Sequence, residues 1–252
     1  MAGVRVIPRL DIKGPNLVKG INLEGLRVLG RPEEFARRYS DQGADELIYV
    51  DIVASLYQRN NLAEIVERTA AEIFVPLTVG GGVRTTDDVA RLLRAGADKV
   101  AINTAAIGRP VFLREAARMF GSQCVVLSIE AKRRGPSSWE AYTDNGREPS
   151  GRDVVEWARE GVNLGAGEVL VTSVDQEGTG RGYDIDLVNA LATGVPVPVI
   201  ACGGAGKPAD VVEVVRRGKA DAVAMARMLH YGHFDVASIK TALSDAGVEV
   251  RT

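Results

Sequence analysis

Cysteine is almost absent from this chain of 252 residues: Cys124 and Cys202 are the only two, and both sit inside apolar runs. That usage excludes a disulfide scaffold and reads as two buried free thiols in a reducing compartment. Histidine is equally scarce. His230 and His233 lie beyond the last strand candidate without a convincing ligand set, so packing or surface roles are expected of them, and no metal or other cofactor. Charge of one sign is lacking too, since a net charge of −2 and a pI near 5.8 give no electrostatic support for a nucleic-acid partner. No apolar run approaches the roughly 20 residues that span a bilayer. The N-terminal stretch Met1–Pro8 lacks the basic region, apolar stretch and cleavage site of a signal peptide. A cytoplasmic protein is expected. Its 46% hydrophobic content can fill a substantial core, and its length suits one α/β barrel as well as two smaller domains.

What the chain does have is an internal repeat. Val75-Pro76-Leu77-Thr78-Val79-Gly80-Gly81-Gly82 is answered by Val197-Pro198-Val199-Ile200-Ala201-Cys202-Gly203-Gly204, 122 residues later. Gly43-Ala44-Asp45-Glu46 is answered by Gly165-Ala166-Gly167-Glu168 at the same offset of 122. The unit is too long for a solenoid repeat and amounts to half a domain. A duplicated site follows, and with it a substrate with two similar ends.

Short apolar, β-branched runs alternate with amphipathic stretches, as a parallel α/β protein requires. Eight strands are predicted, at Val4–Leu10, Glu46–Asp51, Pro76–Val79, Lys99–Ile102, Cys124–Glu130, Glu168–Thr172, Val197–Ala201 and Ala222–Ala226. Helical periodicity lies between them, and Pro32, Pro110 and Pro208 fall where first helical turns should begin. Eight such units favour a (β/α)₈ TIM barrel over an open sheet, built from two half-barrels dividing near residues 121 and 122. Two long connections, Asp11–Gly30 and Ala131–Gly151, follow the first and fifth strands; Trp139–Tyr142 suits a small hairpin. In a barrel such loops collect at the C-terminal face, where the chemistry is placed.

Asp11 and Glu130 end the first and fifth strands, at corresponding points of the two halves, so their carboxyls would face each other across the mouth. Opposed carboxyls can divide acid and base work if their surroundings separate their pKa values. Gly81-Gly82 and Gly203-Gly204 would expose backbone N–H groups to two phosphates. Asn103, Thr104 and the polar loop Asp175–Thr179 add donors nearby. At the other face, Arg5, Glu46, Lys99 and Glu168 lie at strand starts and can form an alternating ring, which by its chemistry alone reads as a salt-bridge plug.

Over essentially its whole length the chain resembles the HisF family, the cyclase subunits of imidazole glycerol phosphate synthase. The resemblance is carried by Leu10-Asp11-Ile12-Lys13 with Val18-Lys19-Gly20, Val79-Gly80-Gly81-Gly82-Val83-Arg84, Asp98–Thr104, Gly178-Thr179 with Gly182-Tyr183-Asp184, and Gly203-Gly204-Ala205-Gly206. It implies histidine biosynthesis by a lyase acting on phosphoribulosyl-formimino-aminoimidazole carboxamide ribonucleotide. Asp11 and Glu130 would be the general acid and base. Lys19, Gly82, Asn103, Thr104, Thr172, Glu177, Gly178, Gly203, Gly204, Ala226 and Arg227 would bind the substrate and its phosphates. It further implies a HisH-type glutaminase partner on the N-terminal face, with ammonia entering through Arg5, Glu46, Lys99 and Glu168 as a gate.

Five positions depart from the family pattern. Glu130 and Glu177 stand where aspartate is usual, Cys202 where serine is common, Arg227 where a small hydroxyl residue is placed, and Arg9 is an unusual charge beside Asp11. A second reading follows from them: a relative that channels ammonia for amidation of a sugar in surface-polysaccharide synthesis. An isomerase of the sister half-barrel family is a third, against which the gate argues.

Overall fold

A computed structural model of the chain describes residues 3–54 and 62–251. Its strands run β1 (Arg5–Lys13), β2 (Asn16–Ile21), β3 (Glu24–Gly30), β4 (Leu47–Asp51), β5 (Leu77–Gly80), β6 (Lys99–Ile102), β7 (Val125–Gly135), β8 (Ser138–Thr143), β9 (Glu148–Asp153), β10 (Glu168–Ser173), β11 (Val199–Cys202) and β12 (Ala222–Met225). Eight of them pair in parallel in the order β1-β4-β5-β6-β7-β10-β11-β12, and β12 pairs back onto β1. The sheet is therefore a closed (β/α)₈ barrel, and every stave found was marked by an apolar run in the sequence. The bounds differ most at β1 and β7, which run past their expected ends to Lys13 and Gly135. Both continue into antiparallel flaps. β1 pairs with β2 and β2 with β3; β7 pairs with β8 and β8 with β9. The two long loops are thus three-stranded flaps on opposite staves, and the expected Trp139–Tyr142 hairpin lies within β8.

The staves are apolar on both faces because two separate cores lie against them. Val6, Leu10 and Ile12 of β1 join the larger core between staves and helices, whereas Ile7 joins Ile48, Ala101, Val126, Leu170, Ile200, Ala222 and Ala224 in the lumen. Pro32 and Pro208 open their helices, but Pro110 stands one residue before the helix Val111–Phe120. Cys202 is buried, as expected. Cys124 is only half-buried, because it sits in the 3₁₀ turn ahead of β7 and not in the strand. Among the described residues, no helix is long and apolar enough to cross a membrane.

Part of the repeat is structural stitching. Asp45 accepts the Val6 amide at 2.7 Å, Asp98 the Leu77 amide at 2.8 Å, and Asp221 the Val199 amide at 2.9 Å. In each case an aspartate just ahead of an even-numbered stave ties down the start of the stave before it. Gly167 occupies the fourth such position and, having no carboxylate, keeps only the backbone bond, to the Val125 carbonyl, that the three aspartates also make to the staves they tie down. The residue after each aspartate turns into the lumen, which puts Glu46, Lys99, Glu168 and Ala222 at one level. Arg5 lies in register with Ala222, and that small side chain leaves room for the guanidinium.

Candidate functional site

At the N-terminal end these positions close a four-membered ring. Arg5 reaches Glu46 at 2.6 Å and Glu168 at 2.5 Å, while Lys99 reaches Glu46 at 3.1 Å and Glu168 at 2.8 Å. Each ion thus has two partners of opposite sign, which satisfies charges that burial would otherwise penalise. The structure brings all four expected residues together around the lumen's end.

At the C-terminal mouth Asp11 and Glu130 stand on β1 and β7, four staves apart in a ring of eight. Their surroundings differ. Asp11 is 1% exposed and accepts from Arg9 Nε at 2.9 Å and Lys19 Nζ at 3.3 Å. Burial alone would raise its pKa, but Arg9 and then Lys19 outweigh burial and hold it below the usual carboxylate value. Among the described residues Glu130 accepts only from neutral donors, Asn103 Nδ2 at 2.9 Å and the Gly146 amide at 2.8 Å. Its burial pushes its pKa to about 7, with Asp144 and Asp11 adding to the rise and Arg9 and Gly146 opposing it. One carboxyl is ionised throughout the neutral range and the other carries a proton near neutrality, the division that paired acid–base chemistry needs.

The two glycine turns are built alike. A Cβ on Gly81 would lie 2.2 Å from the Asp51 carbonyl oxygen, and one on Gly203 2.6 Å from that of Ser173, both with positive φ. Each turn therefore passes against the end of the preceding stave, which demands glycine whatever the ligand. The spaces above them differ. Beside Gly81 and Gly82 lies a cavity of about 330 Å³ lined also by Asn103, Thr104 and Glu130. Asn103 Oδ1 is buried there without a partner, and the Thr104 hydroxyl accepts from the Asp144 amide at 3.2 Å. Beside Gly178, Gly203, Gly204 and Ala226 only about 10 Å³ is open. Arg227 and Glu177 also line that cradle, Arg227 donating to the Gly178 carbonyl and Glu177 forming an ion pair with Lys19. The Thr172 hydroxyl points into the barrel and accepts from Arg9 Nη1 at 2.8 Å.

Three participants were not among the expected site residues. Arg9 reads in the sequence merely as an unusual charge. Gly146 and Asn145 belong to the Asp144-Asn145-Gly146 turn of the second flap; all three have positive φ, and the Asn-Gly pair is the signal in the sequence that could have found the turn. Gly146 binds Glu130 and Asn145 reaches the Leu23 carbonyl of the first flap, so the turn joins flap to flap over the site. His230 is buried and bonds through Nδ1 to the Tyr39 hydroxyl at 2.6 Å, while His233 is exposed. Burial holds His230 at a pKa of about 3, so it packs as a neutral ring. No group of three or more His, Cys, Asp or Glu side chains suited to a metal occurs among the described residues.

Fold and site together define a (β/α)₈-barrel protein with two unlike carboxyls and two glycine cradles at its C-terminal mouth. A family model described as "Histidine biosynthesis protein" matches residues 5–235. The chain belongs to that family. It is 63% identical over 207 residues to the imidazole glycerol phosphate synthase subunit HisF of Legionella pneumophila, covering 82% of this chain and 98% of that one. It is 52% identical over 251 residues to the HisF subunit of Gluconacetobacter diazotrophicus, covering 100% and 97%. It is 52% identical over 248 residues to that of Myxococcus xanthus, covering 98% of each. These similarities do not favour the sugar-amidating alternative.

Proposed function

We infer that the chain is the cyclase subunit of imidazole glycerol phosphate synthase. It would use ammonia to convert phosphoribulosyl-formimino-aminoimidazole carboxamide ribonucleotide to imidazole glycerol phosphate and aminoimidazole carboxamide ribonucleotide. The observation that carries this reading is the pair Asp11 and Glu130, opposed across the mouth and set to different ionisation states. Ammonia attacks the ribulosyl carbonyl; in two successive transfers one carboxyl protonates the oxygen, which leaves as water, and the other takes protons from the attacking nitrogen. That nitrogen then closes the ring onto the formimino carbon as the carbon's bond to the aminoimidazole carboxamide ribonucleotide breaks. Gly82, Asn103 and Thr104 would hold one phosphate in the open cavity, fixing the reacting atoms between the acids. The test is turnover of the purified protein with free ammonium and the bis-phosphorylated ribonucleotide. Formation of imidazole glycerol phosphate supports the reading, and its absence at saturating ammonia overturns it.

The second phosphate would displace the Gly178 carbonyl from Arg227, exchanging a neutral acceptor for a charged one. Arg227→Ala should then raise KM by about ten- to a hundredfold, the worth of one hydrogen bond to a charged group, with kcat changing less. An unchanged or lower KM would show that the arginine obstructs the cradle.

A HisH-type glutaminase would dock on the N-terminal face. Phe74 is 98% exposed there, beside a hollow of about 280 Å³ formed with Ile73, Pro76 and Asp98. An aromatic ring so exposed is a natural interface anchor. Ammonia would then enter through Arg5, Glu46, Lys99 and Glu168. Phe74→Asp is expected to lower glutamine-driven turnover by about tenfold or more while leaving ammonium-driven turnover as it was. Equal loss in both assays would remove the support that Phe74 lends to this docking face.

A further inference from the structure

Arg9 is 3% exposed and projects from β1 into the lumen, one inward-facing position below Asp11. Its guanidinium spans three staves. Nε donates to Asp11 Oδ1 at 2.9 Å, and Nη1 donates to Thr172 on β10 at 2.8 Å and to Cys202 Sγ on β11 at 3.5 Å. The stave between, β12, turns only alanines into the lumen, Ala222 and Ala224, so the long side chain passes over it. A buried charge persists where its partners match it, and here one carboxylate, one hydroxyl and one thiol are arranged around a planar fork.

We propose that Arg9 is a positioning residue of the cyclase site: it pins Asp11 from inside the barrel as a carboxylate paired in one orientation. The inference rests on the cyclase reading for its chemistry, but its geometry is independent of any substrate. The groups facing Asp11 are Arg9 on its own strand, Lys19 on β2 and His230 behind it. Lys19 is shared with Glu177 in the loop after β10. His230 is neutral, which leaves two cations, and only Arg9 is fixed by side chains from two further staves. Among the described residues Glu130 faces Asn103, Gly146 and Asp144, none of them cationic, with Arg9 a cation that acts on it from a distance. Bidentate or forked arginine contacts fix direction as well as charge, which a lysine on its flexible stem does not.

The test has two readouts. In the substrate-free protein, the Asp11 carboxyl carbon is followed by ¹³C NMR against pH and assigned by its disappearance in Asp11→Asn. The wild-type resonance should stay that of a carboxylate down to the acid side of the ordinary range. In Arg9→Met, which fills the same space without charge, the midpoint should rise by about one unit or more. An unmoved midpoint overturns the proposal. Arg9→Lys keeps the charge but loses the fork, so kcat should fall by about tenfold at unchanged KM, because orientation and not binding is lost. Wild-type kcat in Arg9→Lys would overturn the positioning role, even if Arg9→Met fails to fold. Should wild-type protein not turn over the ribonucleotide while the NMR behaves as stated, the cyclase reading fails and the Asp11–Arg9 geometry stands.

Discussion

Asp11→Asn should lower ammonia-driven turnover by about a hundred- to ten-thousandfold, the range over which a positioned acid or base contributes. The amide is nearly isosteric, so the barrel mouth keeps its shape while the proton acceptor is lost. The same change should also cost stability. Arg9 and Lys19 are both buried against this carboxylate, and removing one partner of a buried pair costs about 3 kcal/mol or more because the remaining charge is uncompensated. Arg9 keeps Thr172 and Cys202, and Lys19 keeps Glu177, which places the loss at the lower end. The pH dependence identifies the cause. Asp11 is held below its ordinary value in the folded protein, so its contribution is present above the unfolded carboxylate value and fades as pH falls through the folded one. Urea unfolding of the two proteins should therefore differ at neutral pH and converge in acid. Wild-type turnover in a folded Asp11→Asn protein would sink the cyclase reading.

The ring at the bottom of the barrel and the carboxyls at its mouth were legible in the sequence for one reason: along a strand every second residue faces the lumen. Once Arg5 through Asp11 is read as a stave, Arg5, Ile7, Arg9 and Asp11 must line its interior, and the matching positions of the other staves follow. What that period cannot give is the partner of each inward side chain. Thr172 reads as a phosphate contact by resemblance, yet its hydroxyl is held by Arg9, 163 positions away in sequence. That contact exists because β12 offers alanines at 222 and 224, a feature without meaning until the barrel closes. Lys19 and Glu177 were each expected at the site, but their ion pair depends on how the first flap lies over the loop after β10. Asn22 donates from that flap to the Glu177 carbonyl at 2.7 Å, and no local pattern announces it. The flaps themselves hide in sequence because Asp11–Gly30 and Ala131–Gly151 are rich in turn formers and short on alternation. Their strands are set by pairing onto β1 and β7, and the few apolar side chains they bury, Leu17, Val18, Trp139 and Ala141, are too short a run to announce three-stranded flaps.

Glu130→Gln should abolish turnover to a similar degree, about a hundred- to ten-thousandfold, with the opposite effect on stability. Among the described residues no cation lies within hydrogen-bond reach of Glu130, and a glutamine oxygen can accept equally well from its two donors, Asn103 Nδ2 and the Gly146 amide. Nothing charged is orphaned by the change. Instead a penalty is removed. Burial sets the folded pKa at about 7 against an ordinary 4.5, so the wild-type protein progressively loses stability as pH rises from the unfolded value through the folded one. Above that window the glutamine variant should be the more stable of the two. A rise of that size corresponds to roughly 3 kcal/mol. Below the unfolded carboxyl value both side chains are neutral and the curves should meet. Denaturant unfolding from acid to mildly alkaline pH, with turnover measured at constant free ammonia so that ammonium titration does not mimic Glu130, separates the two effects. A glutamine variant that turns over normally would remove Glu130 from the chemistry. One that is less stable at pH 8 would mean the carboxylate has a cationic partner there, and the division of labour with Asp11 would fail. The two carboxyls thus make opposite demands on the fold, Asp11 supporting it as a charge and Glu130 weakening it as one, and the proposed chemistry needs both.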